Sequence, residues 1–369
     1  MHSDLLLVIV VVAAAAFDFT NGFHDTANVV AASISTRALA PRTAIMLVSV
    51  LNFAGAFISL QVAATIATGI IDAAQVTETI AFAGLVGAIA WNLITWAHGL
   101  PSSSSHALIG GMTGAMLAAV GAGGIKVSGL VTKVIVPAVV APLSAFVVAG
   151  CVIALVYWML GRRSPGPVTR GFRAGQIVSN SALALAHGTN DAQKTMGVIT
   201  LALVAHGSLS PDHATVPTWV VILSATAIAL GTYAGGWRII RTVGSRIIRM
   251  DAAQAFSAQA SGAAVILISS HFGYPLSSTH VISGGVMGAG AAKRLSAVRW
   301  GVAGTIAGAW LITLPAAGLF GAGAYGIAAA IGHGALGPLL IAVVAIGGPL
   351  SMTLATRRRR SQPARPASV

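Results

Sequence analysis

Two short runs put carboxylates inside stretches otherwise apolar enough to cross a bilayer. The first is Asn21-Gly22-Phe23-His24-Asp25-Thr26-Ala27-Asn28, with Asp18 one turn earlier. The second is His187-Gly188-Thr189-Asn190-Asp191-Ala192-Gln193-Lys194. A carboxylate at the bilayer centre costs at least about 2.5–3.5 kcal/mol on insertion scales, so it persists there facing a polar cavity, paired with a cation, or protonated. Asp25 and Asp191 are hard oxygen donors for Na⁺ or acceptors for H⁺. Asn21, Asn190 and Thr26 add neutral oxygen ligands, with Asn28 a further cation candidate and Gln193 a further polar group. Gly22 permits the first helix to unwind near residue 21, and the second is expected to break near residue 189, freeing carbonyls for an ion. The plainer reading is helix capping by Asn and Asp. Two matching motifs at depth favour a site. His24 and His187 lie beside the carboxylates without matching each other, as candidates for proton coupling. Lys194, whose counterpart is Asn28, is the one basic residue within the acidic motifs. Its candidate roles are to neutralise Asp191, touch an anion or snorkel to an interface.

A second pair of motifs is rich in hydroxyls. Pro101-Ser102-Ser103-Ser104-Ser105-His106 resembles Pro275-Leu276-Ser277-Ser278-Thr279-His280, and each continues into a glycine pattern, Gly110-Gly111 with Gly114 and Gly284-Gly285 with Gly288. In each, proline ends one helix and hydroxyl residues open the next. Free N–H groups, hydroxyls and the helix dipole make such a start an anion site; simple N-capping of a tight helical hairpin is the alternative. Ser103, Ser104, Ser105, Ser277, Ser278 and Thr279 are the candidate anion contacts, with Ser102 weaker because Leu276 replaces it. His106 and His280 at matched positions are candidates to donate to the anion, take a proton or orient the loop. The glycines are read as sites of close helix approach.

The elements holding these motifs follow from composition. Apolar residues make up 56%, charged residues 8%, and mean hydropathy is +0.86. A soluble domain carries about a quarter charged residues, so the excess apolar surface must face lipid. The expected architecture is an all-α polytopic membrane protein of about ten to twelve transmembrane or re-entrant helices. Spans are read at 4–36, 42–70, 79–99, 103–122, 134–161, 176–206, 217–241, 252–273, 277–292, 300–325 and 335–355. The formal charge of +13 lies in the breaks between spans: Arg37 and Arg42, Arg162 to Arg173, Arg238 to Arg249, Lys293 to Arg299, and Arg357 to Arg360. Alternating crossings put all of these on one side and Asp72 and Glu78 on the other, as the positive-inside rule requires without any nucleic acid. The motifs recur in the same order in both halves, and the crossing count inverts the second half relative to the first. The chain thus divides into a first repeat at 1–161, a short basic linker at 162–175, a second repeat at 176–325, a C-terminal helix at 326–356 and a basic tail at 357–369. The single cysteine, Cys151, excludes a disulfide framework.

With these four motifs in order over nearly its whole length, the chain resembles the inorganic phosphate transporter family. The resemblance implies an inverted-repeat fold with phosphate bound between the halves. Its contacts would be Ser103, Ser104, Ser105, Ser277, Ser278, Thr279, Thr26 and Gln193. The coupling cation would lie at Asp25, Asp191, Asn21, Asn190 and Asn28. Family members couple to Na⁺ or H⁺. Bacterial relatives favour H⁺ and can take phosphate as a neutral divalent-metal complex, and Asn52, where eukaryotic members often carry a carboxylate, weakens the case for Na⁺. No cofactor is expected. The partners are phosphate, a coupling cation and the lipid bilayer, with a homodimer left open. The implied location is a bacterial inner membrane, N-terminus outside and C-terminus cytoplasmic. Carriers of sulfate or arsenate use the same donors, and a channel is a further alternative. An enzyme is disfavoured, because Ser104 and His106 have no identifiable third residue of a hydrolase triad.

Overall fold

The computed structural model describes residues 4–210, 215–332 and 334–341. Thirteen α-helices follow one another up to residue 331, and a further helical run covers residues 336–341. The first half contributes α1 (Asp4–Ser35), α2 (Pro41–Gly55), α3 (Gln61–Thr68), α4 (Glu78–His98), α5 (Ser104–Val120), α6 (Val127–Leu130) and α7 (Val136–Leu160). The second half contributes α8 (Pro165–His206), α9 (Thr218–Ala234), α10 (Trp237–Arg241), α11 (Ala252–His271), α12 (Ser278–Ala291) and α13 (Trp300–Ile331). A π-helical turn joins α6 to α7, giving one apolar rod over Val127–Leu160. Among the described residues five helical segments are long and apolar enough to cross a membrane, or six counting the pair α9–α10, which bends by 60°. The expected span 42–70 divides into α2 and α3. Residues 165–175, read as linker, form the first turns of α8, opened by Pro165 with its fixed φ. Residues 326–331 complete α13. Beyond residue 341 the expected C-terminal helix, like the basic tail, lies outside the described residues.

The expected breaks near residues 21 and 189 do not occur: α1 and α8 run through both motifs as continuous helix. The reason is local. Thr26 and Thr189 return their hydroxyls to the carbonyls of Gly22 and Leu185 one turn back, and Gln193 donates to the carbonyl of Thr189. These three side chains therefore bond back to their own helix across both motifs. The glycines serve packing instead of unwinding. An added Cβ at Gly22 would stand 2.4 Å from the Ile228 carbonyl oxygen, and one at Gly188 would stand 2.1 Å from that of Asn52. Gly188→Ala is expected to force α2 and α8 apart, at about 1–3 kcal/mol as for overpacked cores. A thermal melt of the purified variant reads this, and an unchanged melt would show that the contact is looser than drawn.

The same close approach follows each serine turn. A Cβ at Gly114 would reach 2.0 Å from the Gly318 carbonyl oxygen on α13, and one at Gly288 would reach 2.0 Å from that of Phe146 on α7. Packing thus crosses the sequence halves. The helical hairpin α4–α5 packs on α13, and α11–α12 packs on α7, while α1 lies on α9 and α8 on α2 and α3.

Two apolar cores result. One gathers Val10 and Phe17 of α1, Ile80 and Leu85 of α4, Leu108 and Met112 of α5, and Met196 to Leu203 of α8. The other gathers Val29 to Ala31 of α1, Leu183 to Ala186 of α8, Ile266 of α11 and Val281 to Ala289 of α12. Helices α1 and α8 therefore run antiparallel. Their ends agree: Asp4 meets His206 at 3.1 Å, and Thr36 donates to Gln176 at 2.7 Å. The two hairpins point their serine turns at each other from opposite ends of the molecule. Between the cores lies a polar layer formed by both acidic motifs and both serine turns.

Candidate functional site

In that layer the carboxylates of the two halves share one partner. The Ser278 hydroxyl, in the first turn of α12, lies 3.2 Å from Asp25 Oδ2 and 3.2 Å from Asp191 Oδ2. Ser104, in the first turn of α5, donates to Asp25 Oδ2 at 2.8 Å, and Thr279 lies 3.5 Å from Asp25 Oδ1. Both helix starts are built alike. Ser103 and Ser277 are the N-caps, each accepting from the backbone N–H of the histidine three residues on. Capping and site-building are thus divided between adjacent hydroxyls. Ser103 and Ser277 hold the helix starts, while Ser104, Ser278 and Thr279 face the acids. All of these side chains are buried.

Each carboxylate has basic company. His24 Nδ1 stands 2.6 Å from Asp25 Oδ1. Its Nε2 faces Thr95 Oγ1 at 3.2 Å and Ser102 Oγ at 3.3 Å, so Ser102 supports His24 and does not reach the acids. On α8, His187 Nε2 lies 2.9 Å from Asp191 Oδ2, and Asn52 Oδ1 receives the other ring nitrogen at 3.2 Å. Asn52, singled out for lacking a carboxylate, thus orients His187. Lys194 pairs with Asp191 and donates to Ser105 Oγ at 2.5 Å and to the Leu276 carbonyl at 2.9 Å. Its three N–H donors then have three acceptors. The ammonium joins α8 to both serine turns, and Ser105 adds a direct bond between the turns by donating to the Leu276 carbonyl at 3.0 Å.

Other expected ligands are engaged differently. Asn190 donates to Asp191 at 3.0 Å and to the Leu276 carbonyl at 2.8 Å, and Asn28 donates to Thr279 at 2.8 Å. Both belong to the cluster through their amide N–H groups. Thr26 is occupied by the Gly22 and Thr232 carbonyls. Gln193 Oε1 accepts the first backbone N–H groups of α3, from Val62 at 2.8 Å and Ala63 at 3.2 Å. These two residues hold neighbouring helices and do not face the acids. Asn21 is buried with neither amide atom bonded. His106 and His280 meet edge to face at 4.7 Å between ring centroids, and His280 stacks on Trp310 at 4.0 Å. Pro142 has no N–H to give the Ala138 carbonyl, and His280 Nδ1 approaches that oxygen at 3.3 Å. The serine turn of the second half is thereby anchored to α7.

Asp25, His187 and Asp191 offer ligand atoms within 4.8 Å of one another. Two carboxylates and an imidazole at that spacing suit a small cation. The two dipolar helix starts beside them suit an anion. Sequence reading had no way to find Thr95, Asn52 as the partner of His187, or the helix contacts that occupy Gln193, because each depends on residues distant in the chain.

Long apolar helices enclosing a buried layer of carboxylates and hydroxyls define a polytopic membrane protein. The model described as the Phosphate transporter family matches residues 21–168 and 163–321, and the chain belongs to that family. It is 58% identical over 327 residues to a Mycobacterium tuberculosis protein described as "Probable low-affinity inorganic phosphate transporter", covering 89% of this chain and 78% of that one. A Bacillus subtilis protein of the same description is 43% identical over 323 residues, covering 87% and 96%. A solved structure titled "The sodium-dependent phosphate transporter" shares the fold with a TM-score of 0.78 at 24% identity, over 88% of this chain and 99% of that chain. The family and these relatives are transporters, not enzymes. The chain is an integral membrane protein.

Proposed function

We propose that this chain imports inorganic phosphate by cation symport, with H⁺ favoured over Na⁺. One observation carries the reading: Ser278 faces Asp25 and Asp191 at equal distance, with Ser104 donating to the same oxygen of Asp25. The carboxylates and a phosphate compete for these hydroxyls. A cation arriving at the acids draws off their lone pairs and releases the serines, so cation and phosphate bind cooperatively. No arginine lies in the four motifs, which leaves a doubly charged anion dependent on the cation that comes with it. The imidazoles beside both acids support H⁺ as that cation.

Antiparallel α1 and α8, with hairpins entering from opposite ends, support two inverted-topology repeats. The arginine-rich loops after α1, α10 and α12 border the second core, and Asp4, Glu78 and His206 gather beside the first. By the positive-inside rule the second core is cytoplasmic, which puts the N-terminus outside in a bacterial inner membrane. The spacing of Asp25, His187 and Asp191 favours a second reading, in which phosphate enters as a divalent-metal complex.

Labelled phosphate uptake into proteoliposomes, with pH and Na⁺ gradients imposed separately, tests the first reading. Phosphate flux that ignores both gradients would defeat it, and equal inhibition by sulfate would indicate a general oxyanion carrier. Stoichiometric uptake of Mn²⁺ with phosphate would establish the second reading. Ser278→Ala is expected to raise the phosphate KM about ten- to a hundredfold, matching the loss of a hydrogen bond to a charged group at about 1.5–3 kcal/mol. An unchanged KM would take Ser278 out of the anion site.

A further inference from the structure

A third carboxylate lies in the interior, and nothing above uses it. Asp18 of α1 is wholly buried, and neither of its oxygens makes a hydrogen bond. It sits next to Phe17 in the wall of the first apolar core, among residues such as Met196 of α8 and Ala225 and Ile228 of α9. Two hydroxyls neighbour it, Thr195 of α8 and Ser224 of α9. Both are wholly buried and face the carboxylate closely without completing a hydrogen bond to it or to any other group. Three helices thus each present one unsatisfied oxygen-bearing side chain to a single place.

Asp18 differs from Asp25 and Asp191 in having no basic neighbour in contact. The charged groups that act on it are Asp191 and Lys194, both from α8. Helix α9 brings no titratable group except Tyr233, more than two turns beyond Ser224, and those of α4 are at its two ends, Glu78 and His98. An ionised carboxylate in such surroundings, neither paired nor hydrogen-bonded, is among the most expensive things a fold can bury. Unmade hydroxyl bonds raise the cost further. A single positive charge delivered to Asp18 removes the first cost. The hydroxyl oxygens of Thr195 and Ser224 can accept from the protonated carboxyl or ligate a sodium ion.

We infer that Asp18, Thr195 and Ser224 form a second cation site, separate from the Asp25–Asp191 pair, that takes one monovalent coupling ion, H⁺ or Na⁺, for each transport cycle. This rests on the symport reading above. The site lies on the first-core side of the central acids, toward Asp4, Glu78 and His206. In the orientation proposed above, an ion coming from outside meets Asp18 before it meets Asp25.

The steady-state accumulation ratio of phosphate in proteoliposomes tests this, because that ratio depends on stoichiometry and not on rate. At zero membrane potential, a tenfold gradient of an ion multiplies the ratio by about ten for each ion coupled. Asp18→Asn is expected to lose one such factor, about tenfold, under the gradient of the ion that binds there and under that gradient alone. A pH gradient and a Na⁺ gradient, imposed in separate experiments, tell which ion it is. A ratio equal to wild type under both gradients overturns the inference. Should Asp18→Asn carry no phosphate, Ser224→Ala supplies the reading. It keeps the carboxylate and is expected to raise the half-maximal concentration of the coupling ion several-fold, whereas an unchanged ion dependence overturns the inference. Wild-type vesicles that accumulate no phosphate under either gradient would defeat the transport reading itself, a result separate from any variant ratio.

Discussion

Asp25→Asn is expected to lower gradient-driven phosphate uptake by at least about a hundredfold while the protein stays folded. Asp191→Asn is expected to lose uptake to a similar degree and stability as well. The difference comes from their partners. Asp25 is held by His24, Ser104 and Ser278. The His24 ring and the serine hydroxyls can each bond to the new amide. Asp191 is held by Lys194, an obligate donor with no acceptor capacity. Its loss leaves a buried ammonium facing only Ser105 and the Leu276 carbonyl. Removing one member of a buried ion pair costs about 3–5 kcal/mol, enough on its own to unfold a marginal protein. Uptake and thermal melts on both variants check this pair of outcomes. Wild-type uptake in either variant would remove that residue from the cation site, and equal melts would show that Lys194 finds another acceptor.

Lys194→Asn, which gives the second half the residue that the first has at Asn28, is expected to cut uptake in the absence of Na⁺ by about a hundredfold. Asp191 then keeps its charge but loses its permanent counterion, again at a cost of about 3–5 kcal/mol. An added mobile cation can take the place of the ammonium between Asp191, Ser105 and the Leu276 carbonyl. Millimolar Na⁺ is therefore expected to restore part of the uptake in the variant and to leave wild type little changed. That outcome would make Lys194 a tethered cation, fixed where an ion would otherwise bind. Uptake measured against Na⁺ at constant ionic strength decides between this and a merely structural lysine, for which Na⁺ would restore nothing.

The polar interior was legible in the residues because insertion energetics leave few reasons for Asp25, Asp191 and paired serine runs to lie within apolar spans. Their repetition in order pointed to one shared site from two halves. Glycine was the misleading signal. Gly22 and Gly188 in a polar run look like unwinding points, but their missing side chains let α9 and α2 come within van der Waals contact of α1 and α8. The hydroxyls of Thr26 and Thr189 meanwhile kept the helices whole. Nothing local to the sequence distinguishes these two uses of glycine. Likewise, Gln193 reads as an anion ligand until the start of α3 is seen to occupy it.

What the amino-acid sequence determined by itself was the lipid-facing helical class, the recurrence of two pairs of motifs in the same order, and the residue types that the polar interior holds. These depend on hydropathy, charge and motif order, which are properties of residues in line. Only the tertiary structure decided that Ser278 spans both acids, that Lys194 ties α8 to both serine turns, and that Asp18 is left without a basic partner. Those are matters of which side chain reaches which across helices 82 to 253 residues apart in the chain, and the packing of continuous antiparallel helices sets them.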